Sequence, residues 1–213
     1  MIRLSNFKKY YQHKLVLAIP ELVFTEGTHW VTGINGSGKT SLFKSMAGML
    51  PFRGEIVLDS KINIKKHPIA FRKLVNFSEA EPKLPGFLSG QDLINFIAKA
   101  KRSTTAQQDQ LIDLFAINSF IDQPLKTYSS GMLKKISLVM AFLGSPRVIL
   151  LDEPFTTIDQ QTKIKLYELI EWEKAENGVL FLLSSHQGIE EEHMHIDHFY
   201  HVADGGIKVL EAH

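Results

Sequence analysis

Residues 33–40 read Gly33-Ile34-Asn35-Gly36-Ser37-Gly38-Lys39-Thr40, an order of glycines, lysine and hydroxyl suited to holding the phosphates of a nucleotide. Glycines at 33, 36 and 38 allow the backbone to curl until successive N–H groups face phosphate oxygens, and a helix starting there adds the positive end of its dipole. Lys39 is expected to reach the terminal phosphates and Thr40 to offer its hydroxyl to Mg²⁺. The expected nucleotide shell is Gly33, Asn35, Gly36, Ser37, Gly38, Lys39, Thr40 and Ser41. A glycine-rich turn with a chance Lys-Thr pair is the bland alternative. The flanks argue against it, since apolar Trp30-Val31 precedes the loop and helix-like Ser41-Leu42-Phe43-Lys44-Ser45-Met46 follows.

A phosphate loop serves many reactions, so the acidic residues downstream must narrow the choice. Val148-Ile149-Leu150-Leu151 leads directly into Asp152-Glu153-Pro154, which reads as a buried parallel strand carrying two carboxylates at its C-terminal end. Neighbours on a strand point in opposite directions, so the two acids are expected to do different work. Asp152 suits the Mg²⁺ shell through water, and Glu153 suits a general base that orients or deprotonates an attacking water. Read alone, the same residues could be the acidic first turn of a helix carrying proline. Beside a phosphate loop, the metal-side acid is the stronger reading.

These groups need a scaffold, and hydrophobic periodicity supplies its outline. Strand-like Ile2–Phe7 and 54–59 make a β-rich opening, while helical stripes at Leu93, Ile94, Phe96, Ile97 and at Leu111, Ile112, Leu114, Phe115 fill residues 89–145. A helix over 160–174 and a buried strand over 179–183 follow the acidic pair, and 199–210 reads as a hairpin turning at Asp204-Gly205-Gly206. The expected fold class is α/β. It comprises a P-loop NTPase core with a mostly parallel sheet, an antiparallel β part and a helical subdomain at 89–145 within one domain, 1–213.

Tyr128-Ser129-Ser130-Gly131-Met132 opens an amphipathic helical pattern in which Lys134 and Lys135 are expected on the polar side. Ser129 could be an N-cap and nothing more. With the phosphate loop and acidic strand in this order, however, the chain resembles the ATP-binding cassette (ABC) ATPases over nearly its whole length. Their signature is Leu-Ser-Gly-Gly-Gln; Ser129 and Gly131 match it, and Tyr128, Ser130 and Met132 depart. The resemblance implies that Ser129, Ser130 and Gly131 cover the terminal phosphate bound by a second cassette arranged head to tail. Asp159, in Thr157-Ile158-Asp159, is similar to the family's D-loop aspartate, and His186, after Ser184-Ser185, to its switch histidine. An aromatic residue near the amino end of such cassettes stacks on adenine; Tyr11 is the expected residue, with Tyr10 as the neighbour that could replace it. The family's Mg²⁺-sensing glutamine has no counterpart here, and Glu79 is assigned to that metal-side position, with Glu81 close enough to leave the register open.

Composition fits this reading. The 213 residues include no cysteine, which excludes a disulfide framework and a thiolate zinc site, and the formal net charge of +1 gives no reason to expect nucleic acid as a partner. No run approaches the ~20 apolar residues of a membrane span, and no signal peptide or large carboxy-terminal extension is evident. Histidines at 193, 195, 198 and 201 read as solvated side chains rather than a metal site. The expected protein is therefore a minimal ATP- and Mg²⁺-dependent ATPase, cytoplasmic and held at the inner face of the cell membrane by a separate transmembrane permease, more in the manner of an exporter. Two other classes remain at this stage, a soluble ABC-type switch and a small P-loop nucleotide kinase.

Overall fold

The computed structural model describes residues 1–186 and 194–210. Aliphatic runs make its centre: every residue of the strand Val148–Asp152 and of the strand Leu180–Ser185 is buried, as strands covered on both faces must be. In chain order the elements are β1 (Ile2–Tyr11), β2 (Lys14–Phe24), β3 (Thr28–Thr32), α1 (Lys39–Met46), β4 (Arg53–Leu58), β5 (Ile62–Asn63), α2 (Pro68–Leu74) and β6 (Val75–Ser78). There follow α3 (Gly90–Lys101), α4 (Thr105–Leu114), a 3₁₀ turn (Leu125–Thr127), α5 (Ser130–Phe142), β7 (Val148–Asp152), α6 (Gln160–Asn177), β8 (Leu180–Ser185), β9 (His198–Ala203) and β10 (Gly206–Leu210).

Six strands form a sheet in the order β10-β9-β3-β8-β7-β6, parallel throughout except for the closing β9–β10 hairpin. A second, antiparallel sheet runs β2-β1-β4-β5. Strand parity divides the apolar residues between two cores. Ile149, Leu151, Phe181 and Leu183 pack with α3, α4, α5 and α6, whereas Val148, Leu150, Leu180 and Leu182 pack with α1 and the antiparallel sheet. The α/β architecture expected from the sequence is thus the one observed.

Two local details bear on the site. β1 continues through Tyr10 and Tyr11 rather than ending at Phe7, because a bulge at Asn6 (φ 48°) resets the alternation and returns Phe7 and Lys9 to the buried face. Gly54 lies across from that bulge, where a Cβ would stand 2.2 Å from the Asn6 carbonyl oxygen. The helical segment 89–145 is stapled by caps: Ser89 and Asp92 form a capping box on α3, and Thr104 caps α4.

Candidate nucleotide site

Strand β3 ends at Thr32, and the loop 33–38 then feeds α1, whose N-cap is Gly38 at φ 112°. That left-handed conformation suits glycine and lets the loop close over its own N–H groups. Lys39 Nζ folds back to donate to the carbonyl oxygens of Gly33 (2.6 Å) and Ile34 (3.3 Å). In the same loop Ser37 Oγ is buried beside Gly33 with no hydrogen-bond partner. Such a cradle fits anionic phosphate oxygens, which supply the missing acceptors.

β7 and β8 deliver the remaining chemistry. Thr40 Oγ1 donates to Asp152 Oδ2 at 2.7 Å, and Ser184 Oγ donates to Asp152 Oδ1, so the fully buried carboxylate is held from helix α1 and strand β8. A hydroxyl beside a carboxylate is a hard oxygen pair, and Thr40 with Asp152 fits Mg²⁺ held partly through water. Glu153 adopts φ 48° and lines the loop cavity, from which Asp152 is buried; Glu153 Oε1 lies 2.9 Å from His186 Nδ1. The two acids do face separate environments. One cavity of about 610 Å³ is lined by the residues 35–41, Tyr11, Glu153, Thr156, Thr157 and His186.

Several expected residues need closer placement. Tyr11 lines this cavity and meets Ser41 Oγ at 3.1 Å, whereas Tyr10 lines a different cavity and stacks against Arg53. Glu79 does not stand where the sequence reading put it. Its carboxylate pairs with Lys44 of α1 at 3.1 Å and borders a separate groove, while Ala80 and Glu81 line the phosphate-loop cavity. The physical reason is that the Glu79 carbonyl is fastened from inside the protein by Lys134 and its side chain meets the cation of α1. Ser129 caps α5, accepting from Met132 N–H at 3.2 Å, and Ser129 and Ser130 are exposed and outside the cavity of their own chain. A Cβ on Gly131 would stand 2.6 Å from the Thr157 carbonyl oxygen, so this glycine is required by a close backbone approach. Asp159 caps α6 through Thr162 N–H (2.8 Å) and pairs with Lys135 (2.9 Å), which together hold its carboxyl well below the usual carboxylate range, Lys135 contributing first.

The comparisons with known proteins bear on this geometry directly. The family model described as "ABC transporter" matches residues 22–156. The chain belongs to the ABC transporter family. It is an ATP-binding cassette of that family, and its fold is that of an ABC ATPase: the structure of an ATP-binding subunit of an ABC transporter superposes with a TM-score of 0.87 at 23% identity, over 99% of this chain and 90% of the other. A cassette solved as a dimer in a post-hydrolysis state with ADP and Pi gives 0.84 at 18% identity, over 100% of both chains. Among curated relatives, the cassette is 26% identical over 196 residues to the glucosylceramide transporter ABCA12 of Mus musculus, covering 87% of this chain but only 8% of that protein. It is 26% identical to the lantibiotic transport ATP-binding protein SrtF of Streptococcus pyogenes, over 91% of this chain and 83% of SrtF. It is 30% identical to the cytochrome c biogenesis ATP-binding export protein CcmA of Legionella pneumophila, over 74% of this chain and 78% of CcmA.

One participant escaped the sequence reading altogether. Lys134, expected on a polar face, is fully buried in the cassette and donates to the carbonyl oxygens of Asp152 (2.8 Å) and Glu79 (2.7 Å). Burial pushes its ammonium down to about 8, against the opposing pull of Asp152, Glu153 and Glu79. The signal was present in the neighbours: Ile136, Ser137, Leu138, Val139, Ala141 and Phe142 bury α5 on most of its circumference, and a lysine on such a helix has little solvent to reach. Of the four histidines, His193 lies outside the described residues; His198 stacks on His29 and His201 meets Thr32, and no group of three or more His, Asp or Glu side chains that could hold a metal ion occurs among the described residues.

Proposed function

We propose that this cassette hydrolyses ATP with Mg²⁺ and that the resulting opening and closing of two head-to-tail cassettes drives a separate membrane-spanning permease. The observation that carries this reading is one cavity lined together by Lys39, Thr40 and the Glu153–His186 pair, with the buried Asp152 hydrogen-bonded to Thr40. Lys39, Ser37 and the loop N–H groups would bind the phosphates, and Thr40 with Asp152 would hold Mg²⁺, which supplies charge neutralisation at the phosphates when bound. Glu153 would orient a water and take its proton, with His186 holding the carboxylate in place and lying within reach of the terminal phosphate. Tyr11 would carry the adenine. Glu81, not Glu79, is the carboxylate of its loop that could approach the metal.

The exposed Ser129 and Ser130 support a second cassette as partner, because residues outside their own cavity can complete another chain's site. A groove of about 520 Å³ between α1, α2, β6 and α3, bordered by exposed Met49 and Ile69, is where a permease segment would seat at the cytoplasmic face. Export is favoured by the likeness to SrtF, a lantibiotic transport ATP-binding protein, and to CcmA, a cytochrome c biogenesis ATP-binding export protein. No helix among the described residues is long and apolar enough to cross a membrane, so any pathway must come from another chain or segment.

The test combines two measurements. Purified protein should release phosphate from ATP only with Mg²⁺, and Lys39→Ala should abolish release; a polytopic membrane protein should co-purify from detergent extracts of native membranes. Transfer of phosphate to an acceptor instead of water would contradict hydrolysis, and recovery with no membrane protein would contradict the permease.

A further inference from the structure

Lys134 is fully buried and is not among the residues that line the phosphate-loop cavity. We propose that it is a positioning residue that holds the Asp152–Glu153 peptide and the Glu79 loop together, so that the Glu153 carboxylate keeps its place at the cavity; this rests on reading Glu153 as the base.

The argument starts from the peptide between the two acids. Its carbonyl, that of Asp152, accepts from Lys134 Nζ at 2.8 Å, and its N–H, that of Glu153, is engaged by Ser184 O and Ser184 Oγ, both at 3.2 Å. Just beyond, the Glu153 carbonyl accepts from Thr156 Oγ1 at 2.8 Å. These bonds bracket a glutamate at φ 48°, a left-handed conformation that a non-glycine residue keeps only when its surroundings over-determine it. In that conformation the Glu153 carboxylate lines the cavity and meets His186. Removing the Asp152 carbonyl's partner leaves the peptide plane anchored on one side only.

The same ammonium ties a second wall. It donates to the Glu79 carbonyl at 2.7 Å, and the next two residues, Ala80 and Glu81, line the same cavity as Glu153. A neutral side chain of equal length would fill the space and leave two main-chain oxygens unpaired inside the protein, which is costly. Burying a cation is also costly, so volume alone does not account for a lysine here. What the lysine adds is a fixed distance between the acidic strand end and the loop after β6, set by one head group hydrogen-bonded to both.

Displacing a general base by a fraction of an ångström affects turnover and not the phosphate contacts that hold ATP. Lys134→Met should therefore lower kcat by about 10-fold or more while KM and the equilibrium affinity for ATP stay within about threefold. Binding stoichiometry with labelled ATP counts the folded fraction. Lys134→Arg, which keeps a donor to both carbonyls, should recover part of kcat. Wild-type kcat in folded Lys134→Met would overturn the proposal, as would affinity and kcat falling together. If Lys134→Met does not fold, Lys134→Gln is read by the same criteria, and loss of nucleotide binding in both overturns the positioning role. Glu153→Gln is measured alongside: normal hydrolysis there removes the base reading itself, whereas an inactive Glu153→Gln beside a normal Lys134→Met removes only the inference about Lys134.

Discussion

His29 sits on β3, the strand that carries the phosphate loop, and its protonation should set how the cassette responds to acid. The ring is fully buried, with Nε2 3.0 Å from the Thr25 carbonyl oxygen and Nδ1 3.2 Å from Tyr200 Oη, and it stacks on His198. Burial pushes its pKa down from 6.5 to about 4; the Thr25 carbonyl opposes this, His198 adds to it and Asp197 opposes it. Between those values the unfolded chain binds a proton that the folded chain refuses. The stabilisation is therefore complete above pH 6.5 and is lost as pH falls toward 4. At about 1.4 kcal/mol per pH unit, that interval corresponds to about 3 kcal/mol. His29→Phe removes the titration. It should cost about 1–3 kcal/mol at neutral pH, because Thr25 and Tyr200 lose a partner. Urea unfolding at several pH values between 7.5 and 4 compares the two proteins, and surface carboxylates titrate in both, so the difference between curves isolates His29. The wild-type curve should descend toward the variant's as pH falls. Parallel curves would refute the assignment of the pH response to this histidine.

Two substitutions examine the exposed opening of α5. Gly131→Ala would force a methyl group to within 2.6 Å of the Thr157 carbonyl oxygen, so the first turn of α5 must shift and ATP-dependent dimerisation, followed by sedimentation, should weaken; an unchanged dimer fraction would show that the close approach relaxes freely. Ser129→Arg should leave ATP affinity of the single chain nearly intact and block the ATP-dependent dimer, since a bulky cation would occupy the exposed surface proposed above to cover the partner's phosphate. A normal dimer would count against the signature role.

The phosphate loop and the acidic strand were legible because their chemistry is encoded in contiguous residues. Gly33 through Thr40 bend and donate as one stretch, and Val148 through Glu153 announce a buried strand and its terminal acids together. The hairpin at 198–210 was legible for the same reason. What was not legible depends on partners far apart in the chain. The bulge at Asn6 lengthens β1 and resets its alternation, so the site of Tyr11 follows from backbone geometry that the Tyr10-Tyr11 pair does not declare. Glu79 and Glu81 are interchangeable on spacing alone; Lys44 and Lys134, held on two other helices, engage Glu79, and Glu81 lines the cavity. Lys134 was misplaced because lysine ordinarily marks a solvated face, and a buried lysine needs acceptors that only tertiary packing brings.

The central claim is that Glu153 activates the water that attacks ATP, and a single isosteric change separates that role from binding. Glu153→Gln preserves shape and hydrogen bonding while removing the carboxylate that stands 2.9 Å from His186. Phosphate release and dimer fraction are to be measured on the same sample with Mg²⁺ and ATP. Hydrolysis should fall by about 10²-fold or more, the range typical of losing a positioned general base, while ATP remains bound and the variant accumulates as an ATP-dependent dimer more readily than wild type. Near-normal phosphate release would contradict the account.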